Sequence, residues 1–435
     1  MTTDLKPSDK WKTIPWRKLR KIVFRLQVRI FKAHKNENLR LVRKLQKLLL
    51  NSKAAKLLAI RQVTQLNMGR KTAGVDGKKA LEPAERLALY EVLVKNWKQW
   101  KHRPLKRVWI PKADGTKRGL GIPTIADRAY QCLLKYALEP SAEAEFNANS
   151  YGFRPGRSCH DVQNGLYINL NRNANGLTKR ILEIDIEKCF DAIDHTFIKR
   201  SVQLPRAAKI GLYRAIKAGV KGEFPNSESG TPQGGVISPL LANIALHGLE
   251  DVGHQIRYRI KGKRRNTIQV EALNGFHYAD DVVFVLKPDN DAKVLREAID
   301  QFLEIRGLKV KEAKTKLVQS TEGFDFLGWA FSVKPNGKFI STPSQKSVKV
   351  IKTKVKKMMK NSRFTLEERI NKCGSVIRGW RNYHKFCVRC KFVLDADISK
   401  CFDKINHQTL LSKLNTFPTL RRQIRAWLKA GVMDD

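Results

Sequence analysis

Residues Tyr278-Ala279-Asp280-Asp281 sit between Phe276-His277 and Val282-Val283-Phe284-Val285-Leu286, and their reading decides the fold. Two short apolar runs around an acidic pair predict a β-hairpin with carboxylates at its tip. Taken alone, the tetrapeptide reads equally well as an ordinary exposed turn. Two adjacent acids between apolar strands are costly without a counter-ion, so a cation is expected close by.

Upstream, Ile181-Leu-Glu-Ile-Asp185-Ile-Glu-Lys-Cys-Phe190 reads as a buried strand that ends at an acid and passes into a helix. Asp185, Asp280 and Asp281 are therefore candidate catalytic residues and metal ligands. Mg²⁺ takes hard oxygen ligands and keeps several waters, so two or three carboxylates suffice. Two such ions, about 3.5–4 Å apart, can activate a 3′-hydroxyl and neutralise the leaving pyrophosphate when a nucleic-acid strand grows. The main-chain carbonyl of Ile186 is a plausible further ligand. Four more residues suggest a nucleotide pocket. Lys112 and Arg118 flank an Asp-Gly turn between two apolar runs, a second hairpin whose cations could clamp a triphosphate, or a solvated loop. Phe190 could pack under a sugar and exclude a 2′-hydroxyl, or serve as core. Gln233, in Thr231-Pro-Gln-Gly-Gly235, could touch the incoming nucleotide or the template, or simply make a turn.

The wider composition agrees with a nucleic-acid partner. Lys and Arg total 85 against 40 Asp and Glu, a net charge of +45 on 435 residues. A globular chain tolerates such self-repulsion when a polyanion neutralises it. Hydrophobic residues make up 42%, enough for a real core, which excludes a disordered chain. Residues 11–66 read as basic amphipathic helices, with Leu19, Ile22, Val23, Leu26 and Ile30, then Leu41, Leu45, Leu48 and Leu49, at helical spacing. Between Lys12 and Arg61 stand sixteen Lys or Arg and one acid, Glu37. A surface helix normally mixes signs, so Arg17, Lys18, Arg25, Arg29, Arg43 and Lys44 are read as RNA-phosphate contacts. Residues 341–391 carry fifteen Lys or Arg against two acids, and Lys354, Arg378 and Arg381 are read the same way. A further basic run spans Arg257 to Arg265. No apolar run approaches the ~18 residues of a membrane span, and the N-terminus lacks a signal peptide's apolar core. The seven cysteines are scattered and odd in number, which fits a reducing compartment and plain thiols, including the Cys387/Cys390 pair.

One internal repeat stands out. Residues 394–407 match 182–195 at nine of fourteen positions with an offset of 212, and Lys429-Ala-Gly-Val432 matches Lys217-Ala-Gly-Val220. The second copy has no counterpart of the Gln233 loop or of Asp280–Asp281, so it builds no second site and reads as a fusion scar.

Taken in order, the motifs Lys71–Gly77, Ile110–Arg118 with Gly121–Arg128, Tyr151–Ser158, Asp185–His195, Gly230–Asn243, Tyr278–Asp281 and Gly323–Gly328 resemble the reverse transcriptases of bacterial and organellar group II introns, the cyanobacterial type above all. The resemblance covers roughly residues 11–385. It implies an α+β right-hand polymerase: a basic helical extension over 1–70, fingers and palm over 71–335, thumb and partial maturase region over 336–390, and the partial repeat over 391–435. It implies an RNA-directed DNA polymerase with two Mg²⁺ ions on Asp185, Asp280 and Asp281, and a nucleotide pocket of Lys112, Arg118, Phe190 and Gln233. The implied partners are intron RNA, an RNA template, a DNA primer or target and dNTPs, in a bacterial cytoplasm and away from membranes. Maturase assistance to splicing is implied by Ile377-Arg-Gly-Trp-Arg-Asn-Tyr383. Many relatives continue into a DNA-binding segment and an HNH endonuclease where the partial repeat stands here, so DNA cleavage is not expected. Two other readings remain open: an idle RNA-binding splicing factor with the polymerase fold, and a viral-type RNA-dependent RNA polymerase or other bacterial reverse transcriptase. The intact acids favour the active enzyme, since a pure RNA binder has no use for clustered anions.

Overall fold

Apolar runs in the palm alternate between two destinations, and that alternation sets the architecture. In the computed structural model, which describes residues 7–111, 115–252, 274–385 and scattered positions between 408 and 426, the chain divides into two units, 1–385 and 386–435. All elements named below belong to the first. Lys112, the basic run 257–265, Cys387, Cys390 and the repeated segment 394–407 lie outside the described residues.

The strands run β1 (Lys106–Pro111), β2 (Lys117–Ile122), β3 (Arg180–Asp185), β4 (Ala218–Val220), β5 (Phe224–Asn226), β6 (Asn274–Tyr278), β7 (Asp281–Leu286), β8 (Lys316–Gln319), β9 (Phe324–Phe326), β10 (Trp329–Val333) and β11 (Phe339–Pro343). The central sheet has the order β6-β7-β3-β8, with every neighbour antiparallel. Both of its faces are covered. Leu182 and Ile184 of β3, with Val282, Phe284 and Leu286 of β7, join one core. Ile181, Val283 and Val285 point the other way, into a core with Phe324, Trp329 and Phe331. Side chains alternate faces along a strand, so a doubly covered sheet needs apolar residues at every position. This explains why 282–286 reads as an unbroken apolar run.

The first core is closed by helices. The Trp16–Lys35, Leu39–Asn51 and Lys53–Arg61 helices pack with the Ile125–Glu145 helix. Their buried stripes are Val23, Leu26 and Ile30, then Val42, Leu45, Leu49 and Leu50. Leu41 and Leu48 face solvent, as does Ile22. The Leu39–Asn51 helix is thus rotated from a leucine-only reading, because Val42, three residues before Leu45 and seven before Leu49, completes the inward stripe. Asn38 starts that helix, its side-chain oxygen accepting the Leu41 N–H at 3.0 Å.

The second core receives the C-terminal helix pair Gln345–Met359 and Leu366–His384 through the β9-β10-β11 sheet. The Tyr383 ring stacks on Trp329 with centroids 4.4 Å apart, and its hydroxyl donates to the Leu327 carbonyl at 2.7 Å. Among the described residues, no helix is long and apolar enough to cross a membrane.

Candidate active site

The hairpin read from Tyr278–Asp281 is present as β6 and β7, with Tyr278 paired to Asp281 across the turn. The turn is tight enough to put Ala279 at φ +60°, a left-handed conformation that non-glycine residues seldom adopt. The neighbouring loop holds it there. Tyr151 N–H donates to the His277 carbonyl at 2.9 Å, and His277 N–H to that of Asn149 at 3.0 Å. Gly152 lies so close that a Cβ there would overlap the Ala279 backbone nitrogen. Behind the hairpin, buried His277 meets buried Glu250, Nδ1 to Oε1, at 2.9 Å.

Register then does the assembly. Asp185, the last residue of β3, pairs directly with Asp281, the first residue of β7, and Asp280 occupies the turn beside them. Three carboxylates thus gather at one end of a sheet whose opposite strands are more than a helix apart in sequence. The crowding is visible in their proton affinity. Loss of water around its carboxyl, followed by the charges of Asp280 and Asp185, pushes Asp281 from 3.8 up to about 6. The expected cation is the chain's own: the Lys314 ammonium lies 2.8 Å from Asp185 Oδ2. The hydrogen bond to Asp185 in turn raises the Lys314 pKa. Among the described residues, no group of three or more His, Cys, Asp or Glu closes into a ready metal cage. Even so, the donor set suits a divalent ion. Hard oxygens crowd until one of them gains proton affinity, and a monovalent cation already sits on another. At Ile186 the backbone is paired on either side, Lys311 N–H to the Asp185 carbonyl and Glu187 N–H to the Lys309 carbonyl, both at 2.8 Å. The Ile186 carbonyl stays out of that pairing.

The expected nucleotide residues, apart from Lys112, come together. Arg118, Phe190 and Gln233 line one cleft of about 900 Å³, with Leu120, Ile122 and Phe153. The three carboxylates are not part of its walls, but its Phe190 side adjoins them. Cys189, next to Phe190, is lifted to about 12 by burial and then by the charges of Asp280 and Asp191. Phe190 is buried, and Phe153 meets it edge-on with ring centroids 6.2 Å apart. Gln233 is held at both ends: its Oε1 accepts from Arg118 Nε at 2.5 Å, and its Nε2 donates to Asp191 Oδ2 at 2.8 Å.

Asp191 and Lys314 were missed in the sequence. Burial lifts the Asp191 carboxyl above the usual carboxylate range, while Arg118 and Arg107 pull it back. An acid directly after Phe190, in a short run meant to be covered, was the available signal. Lys314 had none, because it stands in a lysine-rich stretch with many equivalents. Arg17, Lys18, Arg25, Arg29, Arg43, Lys44, Lys354, Arg378 and Arg381 are all exposed, on four helices.

With this geometry in view, comparison with known proteins is direct. Residues 110–331 match the family described as reverse transcriptase (RNA-dependent DNA polymerase), residues 11–93 the N-terminal domain of reverse transcriptase, and residues 348–407 the group II intron maturase-specific domain. Maturase-like protein 1 of Euglena gracilis is 34% identical over 373 residues, 85% of this chain and 76% of its own. The group II intron-encoded protein LtrA of Lactococcus lactis is 29% identical over 291 residues, 54% of this chain and 48% of its own. Among solved structures, telomerase from Candida albicans in complex with a fragment of telomeric RNA covers 66% of this chain and 54% of its own, at 14% identity and a TM-score of 0.41. The chain belongs to the reverse transcriptase family, as an RNA-directed DNA polymerase of right-hand fold that carries the maturase-specific domain of group II intron proteins.

Proposed function

We propose that Asp185, Asp280 and Asp281 are the catalytic carboxylates and that they hold two Mg²⁺ ions, with the Ile186 carbonyl as a further oxygen. When bound, the ions supply activation of the primer 3′-hydroxyl and neutralisation of the leaving pyrophosphate. The observation that carries this reading is the register pairing of Asp185 with Asp281 beside Asp280.

The rest of the site binds and orients. Arg118 spends its Nε on Gln233, which leaves the guanidinium's terminal nitrogens for the triphosphate, to be shared with Lys112. Phe190, buried and braced by Phe153, forms a rigid floor under the deoxyribose where a 2′-hydroxyl would clash. Gln233, fixed at both ends, presents its aliphatic face to the nascent base pair rather than a free amide. The substrates are then dNTPs, an RNA template and a DNA primer. Intron RNA is gripped by the exposed cations of the 1–70 extension and of the thumb and maturase region 336–390, and fingers and palm occupy 71–335. Splicing assistance to that intron follows from the same grip. A bacterial cytoplasm remains the expected setting.

Primer extension on an RNA template with Mg²⁺ and dNTPs tests the proposal. Wild-type product, lost in Asp280→Ala, is expected. No wild-type product, together with tight intron RNA binding, would overturn it in favour of an idle RNA-binding splicing factor.

A further inference from the structure

The seam between the Leu39–Asn51 helix and the Arg206–Ile216 helix holds a cleft of about 870 Å³. Six cations, Arg43, Lys47, Lys199, Arg200, Arg206 and Lys209, stand around it beside Arg214, which donates to the Trp100 carbonyl at 3.2 Å, and no acid lines it. Among the described residues, none of these six is in a salt bridge. Most cations of so basic a chain lack an acidic partner, but those that stand beside an acid use it. Arg107 meets Glu223, Arg154 meets Glu143, and Arg296 meets both Asp300 and Glu312. What sets these six apart is their clustering around one hollow with no acid in its wall, which makes a strongly positive field that attracts an external anion.

The floor narrows what that anion is. Leu39 and Ile210 are 37% and 43% exposed, above buried Val202, Leu204 and Pro205. The Tyr213 ring lies among them, with the Lys199 and Lys217 ammonium groups 5.0 and 5.1 Å from its centroid. A free phosphate has no use for an apolar floor, and a paired duplex offers no base to it. An unpaired nucleotide supplies both a flat apolar face and flanking phosphates. The hollow is also preformed, since the Gln46 amide donates to the Gln203 carbonyl at 2.9 Å and to that of Ala137 at 3.2 Å, tying the extension to the palm helices.

We infer that this cleft is an RNA-binding site that takes an unpaired loop, base on the floor and phosphates on the cationic rim. It shares no wall residue with the cleft of Phe190 and Gln233, so it is separate from the nucleotide pocket. The inference rests on RNA being this chain's partner, and it extends the proposed RNA grip from the extension onto residues 199–209.

The test uses the full chain and two charge-matched variants. One carries Lys199→Gln, Arg200→Gln, Arg206→Gln and Lys209→Gln. The control carries Lys95→Gln, Lys98→Gln, Lys293→Gln and Lys334→Gln, all exposed elsewhere. Fluorescence anisotropy against a hairpin RNA with an unpaired loop is followed across a salt series. The cleft variant should flatten the slope of log K against log salt by about 2 to 3 and weaken binding on the order of 100-fold at 0.1 M salt. The control should change both far less. Ile210→Asn, which makes the floor polar without changing charge, should weaken loop RNA and leave fully paired RNA unchanged. Equal losses in cleft and control variants, or equal effects of Ile210→Asn on loop and paired RNA, would overturn the inference. Circular dichroism checks folding, and if the quadruple variant fails to fold, Ile210→Asn decides alone. Wild-type extension of a short primer is scored in parallel. Its absence counts against the polymerase mechanism and leaves the cleft's result standing.

Discussion

Two clusters of like charge sit in this molecule, and they are treated in opposite ways. Asp185, Asp280 and Asp281 gather at the end of a sheet, desolvated enough to move a proton affinity, with Lys314 already placed against them. The cations around the seam of the extension are exposed, save half-buried Lys209, and among the described residues no acid shares their cleft. On the proposed function, the difference follows the size of the partner. A small ion is captured by carboxylates whose mutual repulsion it relieves, and a resident ammonium limits the cost of waiting for it. A polymer is captured by many weak, exposed charges that gain by releasing counterions, so internal pairing would only compete. Asp191 is the intermediate case, a single exposed acid that Arg118 and Arg107 pull back toward its charged form, used to hold Gln233 in place.

The largest test of this contrast is to neutralise one member of the acidic cluster. Asp281→Asn should cut primer extension on the order of 10³-fold, the scale of losing a preorganised electrostatic partner of the transition state. Its affinity for RNA, measured by anisotropy, should change by less than about twofold, because no phosphate contact is lost. A parallel fall in RNA affinity would show that the two clusters are not separate in function.

A smaller effect is expected from Asp191→Asn. The amide keeps the shape but can turn its NH₂ toward Gln233, which frees the Gln233–Arg118 pair to rotate. The KM for dNTP should rise by about tenfold, the value of one charge-assisted hydrogen bond, with kcat nearly unchanged. Asp191→Glu should recover part of the loss. A fall in kcat alone would place Asp191 in the chemistry instead.

The smallest effect is on stability, and its sign is diagnostic. The folded Asp281 carboxyl binds its proton more tightly than the ordinary value of 3.8 allows, up to about 6. Between those two values the native state holds more protons than the unfolded state, so stability falls as pH rises. Above about 6 the full penalty is present. Without divalent ions, this residue's share of the thermal midpoint should decline from pH 4 to pH 6, and the Asp281→Asn variant should lack that share. Added Mg²⁺ should raise the wild-type midpoint at neutral pH more than the variant's. Identical pH slopes in the two proteins would remove the crowding argument.

Much of the site could be read from the chain alone, because its signals are local. Asp185 ends an apolar strand and Asp280–Asp281 interrupts another, so each strand announces its own acid. The hairpin of Arg118 was legible from an Asp-Gly turn between apolar arms. What escaped depends on contacts between distant elements. Lys314 is distinguished from its many neighbouring lysines only by the way β8 and the turn before it return to β3. Leu41 and Leu48 fit a helical stripe, yet Val42 wins the core, because which face turns inward is decided by the Ile125–Glu145 helix and not by the leucines. The cationic cleft was half seen. Arg43 was read as an RNA contact, but nothing in 195–216 says that this segment will lie across from it.

The doubly covered β3 strand has a cost during synthesis. Its partners β7 and β8 come roughly 100 and 135 residues later, which at translation rates of 5–20 residues per second leaves β3 without its sheet for something like 5 to 30 s. For that interval Ile181, Leu182 and Ile184 belong to a strand with both edges open. The N-terminal helices can fold early from local contacts. On the proposed function, the surface that would grip RNA can therefore fold before the corner of Asp185, Asp280 and Asp281 has its strands.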